Sequence, residues 1–230
     1  MTKTLSVIVP AYNEERYAGR LLERIAAVDL SPVGLSREII FVDDGSDDRT
    51  AEIAAAMAGV RLIRMPHAGK GRAVRAGIAA AIGDYVIIHD ADLEYDPADH
   101  VPMLHALLAG AGDAVYGSRY LERGRYPGQA LSAYLGGRSL SVVARVFTRG
   151  RLTDPATALK LFHRTDISGI PLKTDGFELD HEMTARLLAH GRRIVEVPIR
   201  YYPRTRAEGK KIRARDWFFA VGTFWKYRKG

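Results

Sequence analysis

The 230-residue chain contains no cysteine. That excludes a disulfide framework and thiolate metal sites, and it fits a reducing compartment. No run reaches the ~18 apolar residues that a membrane-spanning helix needs. Met1 to Thr4 lead straight into a strand-like segment without a signal-peptide pattern, so the expectation is a protein that is cytosolic or bound at the cytoplasmic face of a membrane. Two nucleotide signatures are also missing. No G-x-G-x-x-G occurs, and Arg64 and Gly71 stand where a Walker A loop needs its first glycine and its Ser/Thr. Internal repeats and low-complexity tracts are absent.

What is present is an apolar fraction of 47%, enough for a real core, in a length that suits one large α/β domain or two small ones. The net charge of +7 is unevenly placed. From Arg200 to Gly230 there are ten Lys/Arg against two Asp/Glu, whereas the preceding 199 residues hold 24 against 25. A neutral body with a basic tail implies an anionic partner.

Apolar runs at Leu5–Val9, Glu38–Val42, Val60–Met65 and Tyr85–His89 read as strands, with helical spacing between them. Asn13 is positioned to cap the first helix, Asp47 or Asp48 the second, which runs to about Met57, and a small-residue helix spans Ala73 to Ile82. Strand–helix alternation at this interval predicts a parallel sheet covered by helices, whose ligands bind beyond the carboxyl ends of the strands. Pro10-Ala11-Tyr12, Asp43-Asp44, Gly69-Lys70 and Asp90-Ala91-Asp92 all fall just past strand ends. The second half is less regular: a helix from about Ala98 to Ala109, a strand at Ala114–Tyr116, a glycine-rich loop at Leu121–Gln129, a helical Leu131–Phe147 and a last strand at Ile194–Ile199.

Asp90 and Asp92, two apart on an extended backbone, point the same way. Their repulsion calls for a positive charge between them, and oxygen ligands suit Mg²⁺ or Mn²⁺. A solvated strand end with a turn before Pro97 accounts for the same residues equally well. Lys70 between glycines reads either as a surface turn or as a place where backbone approaches a phosphate. Asp43 suits a turn and Asp44 a ligand role, while His89 inside a strand reads as packed. Glu178, Asp180 and Glu182 fit an exposed first helical turn or a catalytic base, and neither is favoured. Trp217, Phe218, Val221, Phe224 and Trp225 recur at helical spacing among basic residues, which suits a helix in a membrane interface, with Lys210, Lys211 and Arg213 at anionic headgroups, and on another face core packing.

Together the ordered stretches Val9-Pro10-Ala11-Tyr12-Asn13-Glu14, Val42-Asp43-Asp44-Gly45-Ser46, Gly69-Lys70-Gly71, Asp90-Ala91-Asp92-Leu93, Gly117-Ser118-Arg119-Tyr120, Asp154 with Lys160-Leu161-Phe162, and Val197-Pro198-Ile199 before Arg204 resemble the family 2 glycosyltransferases, in their dolichol-phosphate mannose or glucose synthase branch. The resemblance implies an α/β GT-A fold: one domain over residues 1–230, with a Rossmann-like mixed, mostly parallel sheet and helices on both faces. It divides into a nucleotide-sugar half (1–120), an acceptor half (121–212) and an amphipathic C-terminal helix (213–230). It further implies that Pro10, Ala11, Tyr12, Glu14 and Asp44 line the base and ribose pocket. Lys70, Asp90, Ala91 and Asp92 would then lie at the diphosphate. Asp90, Asp92 and Glu94 would hold Mg²⁺ or Mn²⁺, Arg138 and Arg204 would bind an acceptor phosphate, and Arg119 would steady that phosphate or the diphosphate, with Asp92, Arg119 and Arg204 central to catalysis. Glu94 and His67 depart from the branch, where Gln and Asn are common. The implied reaction is inverting transfer of mannose or glucose from GDP-mannose or UDP-glucose to a polyprenyl (dolichyl or undecaprenyl) phosphate at an anionic membrane surface, with no nucleic acid involved. A family member using a sugar hydroxyl acceptor, and a non-catalytic basic module binding membrane or nucleic acid, are the alternatives.

Overall fold

The computed structural model describes residues 2–122, 124–148, 150–204 and 214–229, and Lys210, Lys211 and Arg213 lie outside them. Seven strands form one sheet: β1 (Lys3–Ala11), β2 (Leu35–Asp43), β3 (Val60–Arg64), β4 (Tyr85–Ile88), β5 (Ala114–Ser118), β6 (Lys160–His163) and β7 (Ile194–Pro198). Their order is β3-β2-β1-β4-β6-β5-β7. β6 runs antiparallel to both neighbours, and the other pairings are parallel. This is the mixed, mostly parallel sheet that the family resemblance implies, while the reversed β6 departs from the parallel sheet that strand–helix alternation alone predicts.

Helices α1 (Ala18–Ala27), α2 (Thr50–Ala55), α3 (Lys70–Ala80) and α4 (His100–Leu108) alternate with the first five strands. Then come α5 (Leu131–Thr148), α6 (Arg164–Ser168), α7 (Leu179–Ala189) and α8 (Ala214–Tyr227). Successive strand residues face opposite sides, so β1 sends Leu5, Val7 and Val9 to one core with Leu21, Leu22 and Ile25 of α1 and Met103, Leu104 and Leu107 of α4. Its Ile8 goes to the other core, with Val74 and Ile78 of α3 and Leu179, Met183 and Leu187 of α7. A small third cluster of Ala144, Ala185, Phe224 and Tyr227 docks α8 on α5 and α7.

Three local expectations need correction. Asn13 does not cap α1: it takes a left-handed φ of 52°, and its Oδ1 accepts from the Asp47 amide at 2.9 Å. It ties the exit of β1 to the loop after β2, and the helix begins five residues later, without a side-chain cap. The start of α7 is not exposed, since Asp180 is 7% and Glu182 0% accessible. The helix is inserted between the sheet and α8, so its acidic residues meet partners instead of water. Finally, Gly69 and Gly71 do admit a close backbone approach, but by this chain's own loop. A Cβ at Gly69 would lie 2.4 Å from the Asp175 carbonyl oxygen, and one at Gly71 2.6 Å from that of Thr174. The Asp175 carbonyl accepts from the Gly71 amide at 2.7 Å, which caps the amino end of α3.

Candidate active site

The parallel strands β1, β2 and β4 deliver their carboxyl ends to one edge, and there the acidic residues gather. β1 ends at Pro10 and Ala11 beside Val42 and Asp43 of β2. The Asp44 carboxylate is buried and accepts from the amides of Ala68 and Gly69, each at 2.9 Å, with His67 Nδ1 also at 2.9 Å. Asp44 therefore shapes the turn into α3, and the His67 ring it holds stacks on Tyr12 with centroids 4.1 Å apart. Glu14 is fixed through its amide, which donates to Thr50 Oγ1 at 2.8 Å. As expected, His89 is packed: it is fully buried, with Nδ1 2.9 Å from His100 Nε2.

Beyond β4, Asp90 and Asp92 flank the buried Ala91. Lys70 Nζ lies 2.9 Å from both carboxylate oxygens of Asp90 and 3.2 Å from Asp180 Oδ2. Arg204 donates to Asp92 Oδ2 at 2.8 Å and to Glu14 Oε2 at 3.0 Å. Burial, the largest influence, raises Asp90 above the usual carboxylate range, although Lys70 opposes it. Burial together with Asp90 and Glu94 pushes Asp92 up to about 7, against the pull of Arg204.

Glu94 turns elsewhere. Its Oε2 accepts from the Tyr201 hydroxyl at 3.0 Å and its Oε1 from the Arg204 amide at 2.8 Å. Tyr95 and Tyr201 form an isolated bridge, so the segment after β7 is strapped across the end of β4. The expectation of a three-carboxylate ligand set is not met: among the described residues, no three His or acidic side chains converge for a metal ion. The Asp90–Asp92 pair does fit a hard cation. It offers oxygen donors raised by burial and by neighbouring carboxylates, and the buried Asp90 Oδ1, although 2.9 Å from Lys70 Nζ, accepts no hydrogen bond.

The arginines expected together at an acceptor phosphate are dispersed. Arg204 sits at Asp92. Arg119 is clamped by the fully buried Asp154, Nε to Oδ2 at 2.6 Å and Nη2 to Oδ1 at 2.7 Å. It lies on a pocket of about 510 Å³ past β5 and β7, shared with Tyr126, Arg200 and Tyr202. Arg138 opens instead on a separate groove along α5. Arg119 and Arg138 both lie against the Tyr120 ring, 5.3 and 5.7 Å from its centroid.

The sequence reading missed Lys160. It is fully buried, 3.0 Å from Asp180 Oδ1, with its ammonium 4.9 Å from the Tyr116 ring centroid. The available signal was a lysine inside the apolar run Ala158-Leu159-Lys160-Leu161-Phe162. Asp180 thereby bridges two lysines. Burial works to raise it, but Lys160 and Lys70 prevail and hold it at about 2. Glu182 accepts from Arg186 Nε at 2.7 Å and from the amides of Lys173 and Thr174, which keep it below the carboxylate range against burial.

A sheet of this order with a carboxylate pair at its ligand edge defines the class as GT-A. Glucosyl-3-phosphoglycerate synthase from Mycobacterium tuberculosis, crystallised with Mn²⁺, uridine diphosphate and phosphoglyceric acid, superposes with a TM-score of 0.75 at 21% identity, covering 98% of this chain and 78% of that one. Mannosyl-3-phosphoglycerate synthase from Rubrobacter xylanophilus gives 0.75 at 20% identity, covering 98% and 73%. Residues 6–154 match the family model described as glycosyl transferase family 2, and the chain belongs to that family. A dolichol-phosphate mannosyltransferase from Pyrococcus furiosus is 32% identical over 214 residues, 90% of this chain and 58% of that protein. An undecaprenyl-phosphate 4-deoxy-4-formamido-L-arabinose transferase from Pectobacterium carotovorum is 31% identical over 174 residues, 73% and 51%. The chain thus spans about half the length of these curated relatives.

Proposed function

We propose that this chain transfers a hexose, mannose or glucose, from a nucleoside-diphosphate sugar to a polyprenyl phosphate at a membrane surface, with inversion. The observation that carries the reading is the Asp90–Asp92 pair at the end of β4, faced by Lys70 and Arg204. Asp90 and Asp92 would hold Mg²⁺ or Mn²⁺, which would offset charge on the departing nucleoside diphosphate. Pro10, Ala11, Tyr12, Glu14 and Asp44 would line the base and ribose. Lys70 and Arg204, already at the two aspartates, would meet the diphosphate oxygens, while Glu94 holds the strap that carries Arg204.

An acceptor phosphate is anionic at neutral pH and attacks without a general base. The acidic residues of α7 accord with this, because an Asp180 held at about 2 by two lysines is a poor proton acceptor. The same observation weighs against a sugar-hydroxyl acceptor, which would need a base there. Arg119 and Arg138, joined through Tyr120, would attract the acceptor phosphate, since a guanidinium matches phosphate geometry. A purely nucleic-acid-binding role leaves the carboxylate pair without a use.

Peripheral membrane binding is supported by α8 and α5. Ala220, Phe224 and Tyr227 of α8 are buried, whereas Phe218, Phe219 and Trp225 are 70%, 58% and 56% exposed. No described helix is long and apolar enough to cross a membrane. The test is incubation of purified protein with radiolabelled GDP-mannose or UDP-glucose, polyprenyl phosphate and Mg²⁺ or Mn²⁺. Label should move into the organic phase only with metal and acceptor together, and its absence with every donor would refute the reading.

A further inference from the structure

A second cationic site lies outside the carboxylate edge. A groove of about 310 Å³ runs along α5 and the segment before β6, lined by Arg138, Ser141, Val142, Arg145, Arg151, Leu152 and Thr153. It contains three arginines and no acidic side chain. Arg145 and Arg151 are exposed and make no ion pair or hydrogen bond with a described residue. Arg138 lies against the Tyr120 ring and makes one long hydrogen bond, 3.5 Å to the Thr153 carbonyl, but no ion pair with a described residue. Three guanidinium groups around one concavity repel each other, and an anion relieves that repulsion. Elsewhere in the molecule the buried cations are matched: Lys70 by Asp90 and Asp180, Lys160 by Asp180, and Arg119 by Asp154.

The groove also has an apolar border. Leu131, Leu135, Val142 and Val146 of α5 are 55%, 55%, 63% and 68% exposed. At about 100° per residue, Leu135, Val142 and Val146 fall within ~40° of each other, and Arg138 and Arg145 lie ~60° to one side. A greasy stripe and a cationic slot therefore run side by side along one helix. A free anion has no use for the stripe, and a hydrocarbon chain none for the arginines. A ligand with both parts uses both.

We propose that this groove binds the phosphate headgroup of an anionic bilayer phospholipid, whose acyl region lies against the exposed stripe of α5. Arg145 and Arg151 grip the phosphate, while the Ser141 and Thr153 hydroxyls, already engaged with the Thr153 carbonyl and Glu196, hold the groove wall in place. The lipid is a docking ligand and is not consumed. The inference rests on the membrane seating proposed above and does not depend on the transfer reaction.

Vesicle co-sedimentation tests it, with phosphatidylcholine vesicles, the same vesicles carrying phosphatidylglycerol, and inorganic phosphate as a competitor. Wild-type protein should bind the anionic vesicles more tightly, and Arg145→Gln with Arg151→Gln should weaken that binding roughly 30-fold at low salt, about fivefold per basic side chain. The charge-matched pair Arg20→Gln with Arg49→Gln should leave it within twofold. Arg145→Lys with Arg151→Lys keeps the charge but loses the planar fork, and should still bind clearly more weakly than wild type. Wild-type binding by the lysine pair, or an unchanged anionic preference in the glutamine pair, would overturn the headgroup site while leaving membrane seating intact. Loss of the anionic preference in millimolar inorganic phosphate would overturn the lipid assignment, and failure to bind either kind of vesicle would overturn the seating with it. Circular dichroism of each variant confirms that it is folded.

Discussion

The two halves of the sheet treat charge in opposite ways. At the ends of β1, β2 and β4 each carboxylate already has a cation or amide in reach: Asp44 has the Ala68 and Gly69 amides, Asp90 has Lys70, and Asp92 has Arg204. The groove along α5 has cations with no carboxylates. The first arrangement is self-consistent until a stronger cation competes for the aspartates. The second remains unbalanced until something anionic arrives. The proposed transfer, which would bring two phosphorylated molecules together, would use both: one edge for a metal and leaving group, and one surface that attracts negative charge.

The largest effect that would sharpen this contrast is on turnover. Asp92→Asn removes one of the two carboxylates and should lower transfer by about 10²–10³-fold or more, a loss typical of one electrostatic contact at a developing charge. Arg145→Gln, on the other side of the comparison, should leave turnover of a detergent-soluble acceptor within a few fold. Comparable losses in both would erase the distinction between the halves. Next comes stability. Lys160 reaches from β6 to Asp180, which in turn holds Lys70, so it anchors the charge network between the halves. Lys160→Met removes one partner of a fully buried pair and should cost ~3–5 kcal/mol in urea unfolding. A change below 1 kcal/mol would mean that Lys70 alone satisfies Asp180.

The smallest effect is pH-dependent and lies behind the carboxylate edge. Burial holds His89 down at about 3, and burial followed by His89 holds His100 well below its ordinary value. Both fold neutral. Their contribution is complete above the unfolded value near 6.5 and is lost as pH falls from there, at ~1.4 kcal/mol per pH unit for each ring. Asp92, pushed up to about 7, runs the other way and costs less as pH falls. The raw stability curve therefore mixes two signs, and the difference between wild type and His89→Phe isolates the histidine. That difference should shift against wild type between pH 6.5 and 5; a flat difference would show that the pair protonates without cost.

How much was legible follows the same division. The first half of the chain could be read because apolar strands end in short polar motifs, and parallel strands bring all those ends to one edge. Asp44, Asp90 and Asp92 were located by that rule alone. Glu94 looked like a third ligand because it follows the pair in sequence, but the chain turns after Leu93, at φ 57°, and Glu94 meets Tyr201 and the Arg204 amide instead. The glycines flanking Lys70 did signal a close approach without revealing that the partner was residues 174–176, over a hundred positions away. Arg119, Arg138 and Arg204 were expected at one phosphate, since local pattern cannot say which loops converge. For Glu178, Asp180 and Glu182 the sequence left an exposed first turn and a catalytic base equally open, because an acidic helix start looks the same in both; the tertiary packing that buries α7 along most of its length is not visible in local pattern.

β6 also changes how the chain must be scanned for working residues. A parallel strand offers its ligand edge whatever follows it, but β6 enters the sheet at that edge, with Lys160 opposite Ile88. Its contribution therefore precedes it: Asp154 and Thr157 arrive before the strand begins, and their partners Arg119 and Lys160 come from strand ends that meet there head to tail. In any sheet with one reversed member, the hunt for function at that member has to run upstream.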